Sequence, residues 1–243
     1  MRERIDRLLV ARGLASTRER AQGLILSGCV RSGTRILDKP GALVDQDVDI
    51  AVVGDDLPYV SRGGLKLAAA LECFAIEVRD RTAIDVGAST GGFTDCLLQH
   101  GAARVIAIDV GYGQFDWALR RDPRVELLER TNIRHVTNAD LDGVIADLAV
   151  VDVSFISLRL VLPVVTDLLV PPKEIVALVK PQFEVGKGKV GKGGIVRDEQ
   201  LRLAAVDEVA DCAGSFGLIV CGRMESPIVG TKGNREYLLH LRL

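Results

Sequence analysis

From residue 61 onward, short apolar runs alternate with helix-length segments, and this alternation restricts the fold more than any other feature of the chain. RTAIDVG, ARVIAIDVG, the centre of DGVIADLAVVDVSF, and KEIVALVKPQFE read as buried strands. Between them lie a segment that Ser61 caps and that runs to about Phe74, then GGFTDCLLQHG, SLRLVLPVVTDLL and RDEQLRLAAVDEVADCAGSFG, which read as helices. Repeated β-α units imply a parallel, doubly wound, Rossmann-like sheet. The last two runs, LIVCGRMESP and NREYLLHLRL, have no helix between them and imply an antiparallel edge. The expected class is α/β, with a smaller α+β module in front.

That module differs in charge. Residues 1–39 carry nine Arg and Lys against four acids, a net charge of +5, whereas the whole chain is −2. A basic segment on an otherwise acidic chain points to a localised polyanion contact. Ile5, Leu8, Leu9 and Arg12 form a helical stripe that Gly13 stops. Ser16, with Glu19 three residues later, makes a capping box for a second helix bearing Ala21, Leu24 and Ile25. CVRSGTRI reads as a tight hairpin, and VDIAVV closes the module. Gly54, Asp55, Asp56 and Pro58 are breakers. The expected division is 1–57 and 58–243, with 58–64 as linker.

Five cysteines with no CxxC, and three histidines with no HxxxH, predict free thiols in a reducing cytoplasm and no metal site. MRERIDRLLVARG carries charges through its apolar positions and does not read as a signal peptide. No apolar run reaches the ~18 residues of a membrane span.

AIDVGASTGGFTDCLL is the sharpest local signal. Asp85 is expected to end a strand, and Gly87, Ala88, Ser89, Thr90, Gly91 and Gly92 to form a small-residue turn into a helix, with Asp85, Gly87, Ala88, Ser89, Gly91, Gly92 and Phe93 as candidate cofactor contacts. Such a turn lets a ligand approach the backbone at the carboxyl edge of the sheet. A dinucleotide fingerprint needs G-x-G-x-x-G, and Ser89 stands where the second glycine belongs. A ligand without a pyrophosphate is therefore favoured. Asp109, ending the next strand, is placed to accept the ribose hydroxyls of an adenosine, and Asn132 to read its adenine. The sum of these features fits an S-adenosylmethionine-dependent methyltransferase better than a dehydrogenase.

GKGKVGKGG, residues 186–194, has P-loop spacing but no Ser or Thr after Lys192. Read as a flexible basic loop instead, it brings Lys187, Lys189 and Lys192 near phosphates.

RIDRLLVARGLASTRERAQGLILSGCVRSGTRI resembles the S4 RNA-binding domain, which implies phosphate contacts for Arg4, Arg18, Arg20 and Arg31. The remainder resembles the FtsJ-like ribose 2′-O-methyltransferases. In order, YVSRGGLKL, DVGASTGGFTDCLL, VVDVSFISL, LVKPQFEVGKG, KGGIVRD and GNREYLLHL make the whole chain similar to the TlyA, or haemolysin A-type, family. That resemblance implies a catalytic set of Lys66, Asp152, Lys180 and Glu236. Lys180 is expected nearest the nucleophile, with a lowered pKa that lets it act as base, while Asp152 and Glu236 hold the two lysines. The implied substrate is a cytidine ribose in ribosomal RNA; a short carboxyl end resembles the form acting on large-subunit RNA. The rival readings are a membrane-active haemolysin, an RNA-binding protein with a non-catalytic methyltransferase-like fold, and a small-molecule methyltransferase, which the S4-like arm disfavours.

Overall fold

The computed structural model describes residues 2–15, 17–26, 28–53, 58–186, 188–230 and 233–243. The amino-terminal module opens with strand β1 (Arg2–Arg4) and helices α1 (Ile5–Ala11) and α2 (Arg18–Leu26). Strands β2 (Val30–Ser32), β3 (Arg35–Ile36), β4 (Leu43–Asp45) and β5 (Ala51–Val52) follow. The hairpin β2–β3 forms as expected, and β5 pairs with the other edge of β2. The pairing of β1 with β4 was not legible in the sequence. Ile5, Leu8 and Leu9 pack against Leu24, Ile25 and Val30 in a core of their own. Ser16 of the expected capping box and the breakers Gly54, Asp55 and Asp56 lie outside the described residues.

The second body runs α3 (Gly63–Cys73), β6 (Thr82–Val86), α4 (Gly92–Gln99), β7 (Arg104–Ile108), α5 (Trp117–Arg120), β8 (Val125–Leu128) and β9 (Ala146–Val151). It continues through α6 (Leu162–Leu168), β10 (Leu169–Val179), α7 (Pro181–Glu184), α8 (Glu199–Ser215), β11 (Ile219–Glu225) and β12 (Tyr237–Arg242). The strands form a seven-stranded sheet in the order β11-β12-β10-β9-β6-β7-β8. From β10 to β8 it is parallel; β12 and β11 add the antiparallel edge, with β12 inserted between β10 and β11.

The sheet is covered on both faces because its strands are apolar at consecutive positions. Ile84, Ile106, Ala149 and Ala177 face α6 and α8. Their neighbours Ala83, Val105, Val150 and Val176 face α3 and α4.

Four local expectations need correction. The N-cap of α3 is Arg62, without a side-chain cap. Ser61 instead fills the space left by a glycine, since a Cβ on Gly92 would lie 2.2 Å from Ser61 Oγ. The SLRLVLPVVTDLL helix starts as a 3-10 turn, Leu158–Leu160, because Pro163 fits only the first turn of α6. PQFE leaves the strand and forms α7, again with proline in the first turn. The short strand β8 was not expected; its VELL is half-buried and pairs only with β7.

Candidate active site

The β6–α4 turn is built on positive φ angles: +86° at Gly87, +50° at Ser89 and +94° at Gly91. At Gly87 a side chain is excluded, since a Cβ would sit 2.5 Å from the backbone oxygen of Asp152. Two loops are thereby pressed together at the carboxyl edge of the sheet. Asp109 joins a third: its Oδ2 accepts from Ser89 N at 2.7 Å and its Oδ1 from Gly111 N at 2.6 Å. Each carboxylate oxygen keeps a lone pair for another donor.

Two clefts open here. One, of about 510 Å³, is lined by Gly87, Ala88, Ser89, Gly92 and Phe93 together with Lys66, Asp152, Lys180 and Glu236. The other, of about 770 Å³, is lined by Gly87, Ser89, Asp109 and Asn132. They meet at Gly87, Ser89, Asp152, Ser154 and Phe155. Asp85 and Gly91 line neither. Asp85 lies one residue inside β6, fully buried, with Oδ2 accepting from Thr94 Oγ1 at 2.6 Å and Oδ1 without a partner. Burial pushes its carboxyl up to about 7; the Thr94 hydrogen bond opposes this and the nearby Asp152 charge adds to it. Gly91 is the N-cap of α4, and a Cβ there would press on Leu119 and Phe115. Asn132 Oδ1 accepts from Arg134 N at 3.2 Å and caps a 3-10 turn.

The four dispersed residues come together in the smaller cleft as two ion pairs. Lys66, from α3, donates to Glu236 Oε2 at 2.6 Å; the pair is 11% and 3% exposed. Gly230 leaves room for that carboxylate, since a Cβ would lie 2.3 Å from Glu236 Oε1. Lys180, at the end of β10, sits 2.5 Å from Asp152 Oδ1 and donates to Ser154 Oγ at 2.8 Å. Burial alone would raise the Asp152 carboxyl, but the Lys180 and Lys66 ammonium groups outweigh it and hold it below the usual carboxylate range. Asp152 is therefore ionised at neutral pH.

Ser154, Phe155, Gln182 and Asn234 were not singled out from the sequence. Phe155 has φ +66°, is 90% exposed, and lies 5.1 Å from the Phe183 ring. Gln182 lines the cleft with its Oε1 buried and unpartnered. Asn234, nearly buried, ties a distant loop: its Oδ1 accepts from Val196 N at 3.0 Å and its Nδ2 donates to Gly194 O at 2.8 Å. Only the positive φ of a non-glycine residue is wholly invisible in sequence; the Asn and Gln lie inside the quoted motifs.

That loop borders the cleft through Val190 and Gly194. Lys189 and Lys192 are exposed on it, and Lys187 lies outside the described residues. No helix follows Lys192; Gly193 and Gly194 turn back with positive φ, so the P-loop reading fails. In the amino-terminal module, Arg4 and Arg18 are bound to a buried acid: Asp6 accepts from Arg4 at 3.0 and 2.8 Å and from Arg18 Nε at 3.0 Å. Part of each fork is thus occupied by the fold, with 39% and 45% of the side chains still exposed. Arg31 is half-buried, its Nε unpartnered, and Arg20 borders a third cleft.

No helix of the described residues is long and apolar enough to cross a membrane. The FtsJ-like methyltransferase family model matches residues 59–243, and the S4 domain model matches 3–50. Over 242 residues the chain is 51% identical to the 16S/23S rRNA (cytidine-2′-O)-methyltransferase TlyA of Mycobacterium tuberculosis, covering 99% of this chain and 90% of that one. It is 42% identical to Hemolysin A of Brachyspira hyodysenteriae, covering 98% of each. A solved structure from Streptococcus thermophilus, described under a hemolysin name, superposes with a TM-score of 0.78 at 44% identity, covering 99% of this chain and 88% of that one. An S4 module, an FtsJ-like body and relatives matched over almost their full length together place the chain in the TlyA family of FtsJ-like methyltransferases.

Proposed function

We propose that the chain methylates the ribose 2′-hydroxyl of a cytidine in ribosomal RNA, large-subunit RNA foremost, in the cytoplasm and with S-adenosylmethionine as donor. The observation that carries this is the convergence of Lys66, Asp152, Lys180 and Glu236 in the smaller cleft, with Asp152 also lining the larger one.

The larger cleft fits the donor. Gly87 has no room for a Cβ, which keeps the backbone accessible, and Asp109 holds free lone pairs for ribose hydroxyls. Gly87, Ser89 and Asp109 would hold it, with Asn132 toward the adenine. When bound, it supplies an electrophilic methyl group.

The chain's own residues prepare the nucleophile. A lysine has three donors. One of those on Lys180 goes to Ser154 while Asp152 lies in ion-pair contact, which leaves donor capacity for an incoming hydroxyl oxygen. Lys180 thereby fixes the oxygen's position, which is the larger part of such catalysis. Lys66, held by Glu236, adds a second positive charge that helps keep the Asp152 carboxylate ionised. As the oxygen gains a bond to carbon its proton becomes strongly acidic. The ionised Asp152, reached through Lys180, is then a sufficient acceptor.

The test is transfer of labelled methyl to purified large- and small-subunit RNA, with 2′-O-methyl positions mapped. Lys180→Ala should lower the single-turnover rate by about 100-fold or more; full activity in that variant would refute the assignment. Relatives that bear a hemolysin name make lysis the rival. Red-cell lysis by the purified protein that survives Asp152→Ala would carry that reading instead.

A further inference from the structure

The third cleft, of about 530 Å³, lies between the two modules and outside the catalytic set. Arg20, Gln22 and Gly23 of α2 form one wall, and Tyr112, Phe115 and Trp117 the other. Both outer rings are open to solvent: Tyr112 is 67% and Trp117 62% exposed. An aromatic ring left in water forgoes the burial that its large surface offers. The Arg130 guanidinium lies 4.0 Å over the Tyr112 ring.

The charges there favour an anion. Among the described residues Arg20 has no ion pair or side-chain hydrogen bond; Arg130 lies over the Tyr112 ring, and its charge helps hold the Glu129 carboxyl low. The neighbouring acids are engaged. Glu129 takes two hydrogen bonds from Arg120, at 3.0 and 2.8 Å, and one from Gly113 N. Asp116 accepts from Ala118 N at 2.8 Å. Thr90 lines both this groove and the catalytic cleft, so the two are neighbours.

We infer that this groove is a stacking track for the unpaired RNA strand flanking the target nucleotide, with Trp117 as its platform and Arg20 meeting a phosphate. The inference rests on the RNA-methylating function proposed above and adds a subsite to it. Exposed rings beside an unpaired arginine suit single strands, whose bases present a free π-face that a duplex hides. Trp117 takes a base face, while Arg20 on the opposite wall takes the backbone that joins it to the next nucleotide.

Trp117 is the chain's single tryptophan, so its emission reports on this groove alone. The full chain is titrated with a mixed-sequence oligoribonucleotide, single-stranded or annealed to its complement, with binding followed independently by the anisotropy of a label on the RNA. Quenching that saturates in step with single-strand binding supports the track, as does weak quenching by the duplex. Trp117→Ala should weaken single-strand binding by about tenfold and Trp117→Phe by much less, since one base stack is worth roughly that factor. Affinity for S-adenosylmethionine, measured by calorimetry, should be the same in all three proteins, which separates a lost stack from a damaged fold. Single-strand binding without any change in emission overturns the inference. So does equal quenching by the duplex, or unchanged RNA affinity in Trp117→Ala. A wild-type protein that neither binds RNA nor transfers methyl to it overturns the function and the track together.

Discussion

Asp85→Asn should stabilise this protein, and by an amount that grows with pH. The carboxyl is fully buried, with Thr94 donating to one oxygen and nothing to the other. Its pKa rises from 3.8 to about 7 on folding. Between those values the folded chain holds a proton that the unfolded chain has lost, so stability falls as pH rises through this window. The slope is about 1.4 kcal/mol per pH unit, and the whole window is worth about 4 kcal/mol. The advantage is intact below the unfolded pKa and gone above the folded one. Asparagine keeps the shape and an acceptor for Thr94 but never ionises. Its gain over wild type should therefore increase by about 3 kcal/mol between about pH 5 and about pH 8. Urea unfolding followed by Trp117 emission reads the methyltransferase body at both pH values. A gain that stays constant across them would refute the idea that a buried, protonated Asp85 underlies the effect.

Two further substitutions probe the loops around the cleft. Gly87→Ala combines a positive φ, which costs a non-glycine residue about 1–2 kcal/mol, with a Cβ 2.5 Å from the Asp152 carbonyl oxygen. Methyl transfer should fall by about 100-fold because Asp152 must move; Gly113→Ala, with similar φ and nothing within 4 Å, should lose only the conformational share of stability. Equal stability losses in the two variants, measured by urea unfolding, would remove the steric argument. Asn234→Ala releases both hydrogen bonds that hold Gly194 and Val196. Trypsin should then cut after Lys189 and Lys192 several-fold sooner, and KM for RNA should rise with donor affinity unchanged; an unaltered cleavage rate would show that the tie does not hold the loop.

The sheet was legible because strands such as VIAI and IVALV are apolar at every position, a pattern only a doubly covered sheet accepts. The glycine turn was legible because Gly87 and Gly91 occupy backbone conformations that other residues rarely adopt. The catalytic set was different. Nothing in local pattern joins Lys66 to Glu236 or Lys180 to Asp152; only resemblance to a known family pointed to them, and only folding brings them within 2.6 and 2.5 Å. The binding of Arg4 and Arg18 by Asp6 was hidden for the same reason, since it depends on how α1 lies against α2. Arginine counts gave the charge of that face but not which guanidinium groups are committed to the fold.

The insertion of β12 between β10 and β11 carries a temporal consequence. A ribosome makes β12 after the other eleven strands, yet it fills an interior slot, and the carboxylate that steadies Lys66 arrives only with it. Until that final segment has emerged and threaded into its gap, the nascent polypeptide has half of its charge pairs and no working centre.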